Sequence, residues 1–383
     1  VTASRATPPI MAAAPEGVYV FDSGNGDHIT LFDHDGTYVR TVYPPPADKL
    51  KDFQGLTWRE FPHDGQKLPL KRGIAQATFL ACSGTNDPAA WPTRDAGGVA
   101  SMAVSGTRLV LGGQRINRLS TDGSTGGQPL VGPEAWYSIR LGTMHEYQGG
   151  TELLAPESLA LSPDGKWLYL SGYFYVRSWH QGGLNGVVRM PADGSAKPEI
   201  FAGHMNQGNP GKADGQFDLA GSVDCDAAGN VYVADYGNDR VQVFDAAAKH
   251  LKSIPVKRPS LVRLNRKNGE IYVFSWTLPY TMHQDGAQTK PALTRLGPLA
   301  KPDVLAAYPL QIQNGLVDGN TCRAEIDTST DPVTIWMCES ATTASWITPK
   351  LEDANIRLMV EKDKKLVILR DFQKDAAKEV VFT

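Results

Sequence analysis

Two segments of the sequence combine side chains that can transfer protons with side chains that can bind an anion. They are GYFYVRSWHQGGLNG at 172–186 and WTLPYTMHQDGAQTK at 276–290. His and Tyr side chains exchange protons as general acids or bases, and an Arg guanidinium pairs with a carboxylate through two parallel hydrogen bonds. We therefore predict that catalysis depends on five residues in these segments, namely His180, His283, Tyr175, Tyr280 and Arg177.

Other turn-rich segments carry aromatic, imidazole and guanidinium groups that suit an anionic or polyhydroxylated ligand. Aromatic rings offer a broad apolar face on which such a ligand can pack. The predicted ligand-binding residues are Arg115, Trp179, Trp276, His145, Tyr147, His204, Tyr236, Arg240 and Arg258. A structural alternative stays open, because long loops also pack their own aromatic side chains and an Arg such as Arg240 can brace its own turn.

A repeat of four short β-patterned runs predicts how these segments are placed. The template, residues 220–256, contains the runs SVDCD, NVYVAD, RVQVFD and HLKSIPV, separated by turns rich in Gly, Asn and Asp. A four-stranded unit of about 40 residues is typical of a β-propeller. The second run of each visible copy begins near Val18, Leu109, Leu168, Val231, Ile271 and Ile335.

We therefore predict an all-β fold, a six-bladed β-propeller of four-stranded antiparallel blades, as one domain over 1–383. Loop insertions are expected near 45–97, 172–186 and 276–290. Extra strands within the first insertion would make seven blades, which stays as the alternative. Successive antiparallel strands alternate in direction. The loops between second and third strands should therefore lie on the same face as the connections between blades.

One unit also has a family resemblance. Residues 211–245, GKADGQFDLAGSVDCDAAGNVYVADYGNDRVQVFD, resemble the NHL repeat. The resemblance implies a propeller but does not decide the chemistry, since NHL propellers include enzymes, ligand sensors and interaction modules. Peptide-amidating lyases of this type carry zinc-binding histidines where this chain has Glu157, Ser222 and Ser260, so that activity is not expected.

The composition excludes several other classes of protein. The 383 residues include 38 Gly and 26 Pro, which favours a fold with many turns over a helical bundle. The formal net charge of -3 gives no indication of a nucleic-acid-binding surface. No apolar run approaches the roughly 20 residues of a membrane-spanning helix, so we expect no membrane span.

Cys322 and Cys338 lie in two β-patterned runs around a turn-rich segment. A symmetric hairpin would place the two thiols opposite each other, either as a cross-strand disulfide or as two reduced thiols. A disulfide would indicate an oxidising compartment, and we expect an extracellular or periplasmic protein.

These observations favour a carbohydrate-active enzyme with a polysaccharide or oligosaccharide ligand. The leading hypothesis is a polysaccharide lyase that cleaves a uronate-containing glycan by β-elimination. It needs a cation beside the carboxylate, a base and an acid. A non-catalytic propeller that binds a glycan or protein is the alternative, and a glycoside hydrolase is a further one. Hydrolysis needs two carboxylates, for which the candidates are Asp95, Glu146, Glu157 and Asp285.

The sequence does not identify a cofactor. Calcium is conceivable on the oxygen ligands of the loop at 22–27. Histidines from separate loops could gather around zinc, but no short His-to-His spacing supports such a site.

Overall fold

The structure is a computed structural model that describes most of the chain. The described residues are 9–22, 28–54, 58–69, 99–113, 115–128, 130–135, 137–140, 151–154, 156–177, 180–183, 185–205, 210–278, 289–311, 321–340 and 354–379.

The first part of the chain forms two four-stranded antiparallel sheets, each followed by a separate hairpin. Blade 1 comprises β1 (Ile10–Ala14), β2 (Gly17–Asp22), β3 (His28–Phe32) and β4 (Tyr38–Tyr43). A 3-10 helix (Ala47–Asp52) and a hairpin of β5 (Trp58–Glu60) and β6 (Lys67–Pro69) follow. Blade 2 comprises β7 (Ser101–Ser105), β8 (Arg108–Gly112), β9 (Arg115–Ser120) and β10 (Val131–Glu134). The second hairpin comprises β11 (Tyr137–Arg140) and β12 (Thr151–Leu154).

The remainder forms four more blades with the same strand order. Blade 3 comprises β13 (Pro156–Leu161), β14 (Trp167–Arg177), the short β15 (His180–Gly183), β16 (Asn185–Pro191) and β17 (Glu199–His204). Blade 4 comprises β18 (Ala220–Cys225), β19 (Val231–Asp235), β20 (Arg240–Phe244) and β21 (His250–Pro255), with a 3-10 turn at Tyr236–Asn238. Blade 5 comprises β22 (Pro259–Leu264), β23 (Ile271–Ser275), β24 (Ala292–Leu296) and β25 (Val304–Pro309). Blade 6 comprises β26 (Thr321–Asp327), β27 (Thr334–Ser340), β28 (Ala354–Lys362) and β29 (Lys365–Asp371), followed by helix α1 (Phe372–Glu379).

The six blades form a closed ring. The first strand of each blade contacts the first strands of both neighbours, and β26 of blade 6 contacts β1 of blade 1. The six-bladed prediction is confirmed, including the predicted second strands. The seven-bladed alternative is wrong for the described residues, because the extra strands form two-stranded hairpins outside the blades.

The core lies between the blades rather than within one central mass. The described residues form six clusters of buried apolar side chains, one for each pair of neighbouring blades. Second strands such as β19 and β23 are buried along their whole length because each of their faces packs on a neighbouring blade. Their sequences, VYVAD and IYVFS, are therefore almost continuously apolar instead of alternating.

Helix α1 completes the junction between blades 6 and 1. The Phe372 ring packs edge-on against Phe32, with 5.5 Å between ring centroids, and lies 5.6 Å from the ring of Trp336. Gly36 lies beside it in a left-handed conformation, φ 79°, where a Cβ would come within 2.9 Å of the Phe372 ring. Strand β1 pairs with β2 of its own blade, and Lys378 and Glu379 lie at the end of α1.

An ion pair joins the same two blades. His34 Nδ1 lies 2.6 Å from Asp327 Oδ2, and His34 Nε2 lies 3.0 Å from the carbonyl oxygen of Pro15. Both ring nitrogens thus face acceptors, which suits the protonated imidazolium. Burial acts to lower the pKa of His34, but the hydrogen bond and the charge of Asp327 outweigh it, so the pKa is raised above its usual value.

Of the two alternatives for Cys322 and Cys338, the disulfide does not form. The register of β26 and β27 is offset by one residue from the symmetric hairpin, so that Cys322 faces Glu339 and Cys338 faces Arg323. The two thiols lie on opposite faces of the sheet, in the clusters on either side of blade 6. Both are free and buried, and burial raises the pKa of each.

No helix in the described part of the chain is long and apolar enough to cross a membrane.

The His34–Asp327 pair predicts how the stability of the ring depends on pH. Because the folded pKa of His34 is raised, its contribution should be complete below the unfolded value of about 6.5 and lost as pH rises through the folded pKa. Urea unfolding between about pH 5 and pH 9 should show this loss in the wild type, but not in Asp327→Asn or His34→Gln.

The control is His63→Gln, because His63 lies in the β5–β6 hairpin and its side chain is 75% exposed. An unchanged pH profile in His34→Gln would show that this pair does not contribute to ring closure.

Candidate functional site

The described part of the central channel contains a cavity at one end of the ring. It is lined by residues at or near the starts of all six first strands and by Trp276 and Leu278, which follow β23. The second-to-third connection of blade 5 therefore meets the beginnings of the first strands at this end. We call it the mouth of the channel. This placement is consistent with the prediction that the loops between second and third strands share a face with the connections between blades.

Arg323 is the main cation of the cavity. Its Nη1 donates to the carbonyl oxygen of Ala100 at 2.8 Å, and its Nη2 lies 4.0 Å from Glu157 Oε2. Arg323 belongs to blade 6 and Glu157 to blade 3, which face each other across the six-membered ring, so the pair spans the channel. The buried Nε of Arg323 has no hydrogen-bond partner among the described residues.

A second ion pair lies farther from the mouth. Arg263 Nε donates to Glu325 Oε2 at 2.9 Å, and both side chains are largely buried. Burial raises the pKa of Glu325, while the charge of Arg263 acts to lower it. Arg263 lines the cavity, but its charge is paired with a carboxylate in hydrogen-bond contact.

Several serine hydroxyls of the channel wall join backbone groups of neighbouring elements. Ser158 Oγ accepts a hydrogen bond from the backbone nitrogen of Val223 at 3.0 Å, and Ser222 Oγ accepts one from Val262 at 2.8 Å. Ser260 Oγ donates to the carbonyl oxygen of Trp276 and accepts from its backbone nitrogen. The bonds of Ser158 and Ser222 satisfy backbone groups of edge strands in the neighbouring blade and so stabilise the ring, whereas those of Ser260 lie within blade 5.

Among the predicted ligand-binding residues that the structure describes, Trp276 is the one that lines the cavity. It immediately follows β23, its side chain is almost completely buried, and its ring centroid lies 5.9 Å from that of Phe274. The two bonds to Ser260 fix its backbone. Trp276 therefore forms a fixed apolar wall of the cavity.

The segment at 172–186, expected as a loop insertion, is largely a β-hairpin. Strand β14 continues past its last partner in β13, where Tyr173 pairs with Pro156, and then pairs with β15. Arg177 and His180 are paired positions at the end of this hairpin, and Tyr175 pairs with Gly182. The sequence suggested a loop because Gly, Ser and Asn in this segment are turn formers, but they also occur within a twisted ribbon. Three predicted catalytic residues thus share one projecting hairpin.

Two other predicted residues lie at the mouth ends of their strands. Arg115 begins β9, and its Nη1 donates to the carbonyl oxygen of Gly132 at 3.4 Å. His204 ends β17, where its backbone pairs with Asn185. They lie in blades 2 and 3, so the predicted ligand-binding residues are spread around the ring.

Arg240 braces blade 4. Its Nε donates to Asp235 Oδ2 at 2.8 Å, and its Nη2 donates to the carbonyl oxygens of Ala213 and Gln216. The Asp235 side chain is fully buried. Burial raises the pKa of Asp235, while the hydrogen bonds it accepts act to lower it. These contacts support the structural alternative for Arg240.

Tyr236 and Arg258 contact each other beside this brace. Tyr236 is 1% exposed, and its hydroxyl lies 3.1 Å from Thr289 Oγ1. The Arg258 guanidinium lies 5.1 Å from the centroid of the Tyr236 ring, a cation–π contact. The pair joins the turn after β19 in blade 4 to the residue that precedes β22 in blade 5.

The remaining predicted positions lie outside the described residues. They are His145, Tyr147, Trp179, Tyr280 and His283, the carboxylate candidates Asp95, Glu146 and Asp285, and 23–27 of the candidate calcium loop. Within the described ranges, no group of three or more His, Cys, Asp or Glu side chains is arranged to hold a metal ion.

Sequence reasoning did not select Arg323 and Arg263, although both line the cavity. A usable signal was present, because each lies in the first run of a repeat unit, in TCRAEID and PSLVRL. First strands line the channel of a propeller, so a charged residue in such a run is a candidate for the channel wall.

Comparisons with known proteins identify no family for the chain. No protein-family profile and no curated protein sequence matches it. Among solved structures, Kuenenia stuttgartiensis hydrazine synthase is similar, with a TM-score of 0.40 and 14% sequence identity. The match covers 71% of this chain and 65% of that one, so the chain spans slightly less than two thirds of that structure's length. The NHL resemblance stays a resemblance of residues 211–245.

The brace in blade 4 predicts the effect of removing Arg240. Arg240→Ala leaves the buried Asp235 without its guanidinium partner, which should lower the free energy of unfolding by about 3 kcal/mol. Urea unfolding measures this loss. The double variant Arg240→Met with Asp235→Asn removes both charges and should recover much of it. Lost ligand binding at unchanged stability would instead identify Arg240 as a ligand contact.

Proposed function

We propose that the protein binds an acidic glycan at the mouth of its channel and cleaves it by β-elimination, as a polysaccharide lyase acting on uronate units. The observation that carries the proposal is the guanidinium of Arg323, which lines the cavity with an unpartnered Nε among the described residues. Trp276 adds an apolar wall to the same cavity. A guanidinium beside an aromatic wall suits an acidic sugar. An extracellular or periplasmic location is part of the same proposal, because it would give the protein access to such polysaccharides.

The reaction assigns distinct roles to the residues around the mouth. A cation neutralises the uronate carboxylate and so acidifies the C5 proton, which a base removes. The C4–O bond then breaks, a C4–C5 double bond forms, and an acid protonates the departing oxygen. Arg323 or Arg177 is the cation of this scheme. His180 and Tyr175 of the hairpin, with His283 and Tyr280, are the candidates for proton transfer.

A non-catalytic glycan-binding propeller is the second candidate. It is favoured by the described cavity lining itself, because the guanidinium of Arg323 and the apolar wall of Trp276 are both groups that bind an acidic sugar without transferring a proton. Glycoside hydrolysis has less support. Glu157 is the one carboxylate of the described lining, whereas the usual mechanism needs two.

The proposal predicts a specific product. Incubation with a panel of acidic and neutral polysaccharides should raise both the absorbance of unsaturated uronates and the number of reducing ends, with acidic glycans alone. A rise in reducing ends alone indicates a hydrolase, binding without either rise indicates a binder, and no binding of any glycan rejects the carbohydrate proposal.

The hairpin variants test the assigned roles. Arg177→Ala and His180→Ala should each lower the rate of β-elimination by at least about 100-fold, because each removes a charge or proton-transfer step. Thermal unfolding should change little. The matched control is Arg108→Ala, which removes the same charge from an exposed position at the opposite end of blade 2. Loss of the folded state in the hairpin variants would favour a structural role for the hairpin.

A further inference from the structure

The described wall of the cavity carries two guanidinium groups and one carboxylate. Arg323 and Arg263 line it, and Glu157 is the carboxylate of its described lining. Arg263 is already held by Glu325 at 2.9 Å. Arg323 instead faces Glu157 at 4.0 Å, which is an ion-pair distance but too long for a hydrogen bond. The guanidinium of Arg323 is therefore the one that lines the cavity without a carboxylate in hydrogen-bond contact.

The nitrogen atoms of Arg323 differ in whether they have a hydrogen-bond partner. Nη1 of Arg323 is used by the carbonyl oxygen of Ala100, whereas Nε is buried and has no hydrogen-bond partner among the described residues. Nε and Nη2 form one edge of the planar guanidinium, and this edge matches the two oxygens of a carboxylate. Glu157 lies near the same edge without bonding to it in the bidentate way.

The cavity is large enough for an acidic group. Its volume is about 70 Å³, which leaves room for a carboxylate with its adjoining carbons. Met11, Met102 and Leu278 form apolar parts of the wall. Such a wall disfavours a doubly charged anion that needs donors on every side.

We infer that the cavity is a carboxylate-binding site in which the ligand's carboxylate takes the Nε–Nη2 edge of Arg323 in place of Glu157. The inference rests on the proposed function for the identity of the ligand, a uronate, and it adds the role of Glu157. The Glu157 carboxylate stands where the ligand's charge will lie, and so competes with it. Binding is an exchange of one carboxylate for another, and Glu157 sets the affinity for acidic sugars.

A purely structural ion pair leads to the opposite expectation. If Glu157 and Arg323 only hold blades 3 and 6 at their spacing, removing the carboxylate lowers stability and gains no ligand affinity. If they take part in exchange, removing the carboxylate frees the guanidinium edge. Glu157→Gln keeps the size of the side chain and separates these two cases.

The experiment is isothermal titration of the protein with free galacturonate, and with galactose as the neutral probe, in a buffer without carboxylates. The wild type should bind galacturonate and not galactose. Arg323→Ala and Arg323→Lys should each weaken binding at least ten-fold, since a lysine keeps the charge but loses the planar fork. Glu157→Gln should tighten binding several-fold, and the exposed Arg108→Ala should leave it unchanged.

Each outcome decides between the two proposals. Galacturonate binding that depends on Arg323 and tightens in Glu157→Gln supports the site, even if no polysaccharide is cleaved and the lyase proposal fails. Cleavage of a polysaccharide with galacturonate affinity unchanged in both Arg323 variants overturns the site but not the lyase. Weaker binding in Glu157→Gln, with the fold intact by thermal unfolding, also overturns the exchange. Glu157→Gln keeps the test valid if Arg323→Ala does not fold.

Discussion

The need of every blade for two neighbours is the constraint on which this structure depends. Second strands such as β19 are buried on both faces, so a blade whose neighbour is missing would expose a complete apolar face. Five of the six interfaces join blades that are consecutive along the chain, but the sixth must join its two ends. The closing cluster around Met11, Val20 and Trp336 is the smallest of the six described. Helix α1, through Phe372, and the pair of His34 and Asp327 add the contacts that this interface needs.

Closure also determines the environment of the site. It brings six first strands around one axis. Each of them pairs with a strand on one side only, so the backbone groups on its inner edge need other hydrogen-bond partners. Short hydroxyl side chains do this between neighbouring blades, as Ser158 and Ser222 show. Longer charged side chains reach farther, and Arg263 and Glu325 bridge blades 5 and 6. Arg323 extends to the far side of the channel, so the cavity is formed by side chains that also contribute to the wall.

The repeat made the fold predictable, because each four-stranded unit is a local pattern with turn residues at regular places. The same local pattern could not fix the register of β26 and β27, where an offset of one residue reversed the expected arrangement of Cys322 and Cys338. Nor could it show that the segment around Arg177 and His180 pairs with itself. The site was only partly predictable. Trp276 was selected from its loop, whereas the first run of a repeat unit indicates no more for Arg323 than a place in the channel wall, and its neighbours there come from strands far apart in the sequence.

The position of Arg323 and Glu157 links ligand binding to the integrity of the ring. The two residues lie in blades 6 and 3, and each is placed by the start of its first strand. The distance between them therefore depends on every blade interface that separates blade 3 from blade 6. A ligand that binds the Nε–Nη2 edge of Arg323 uses a site that exists only in the closed ring. A ligand that binds only the closed state stabilises it in proportion to its occupancy. Blade 6 also forms the closing interface with blade 1. Arg323 lies near the start of β26 and Asp327 at its end, so this one strand connects ligand binding at the mouth with ring closure at the opposite end.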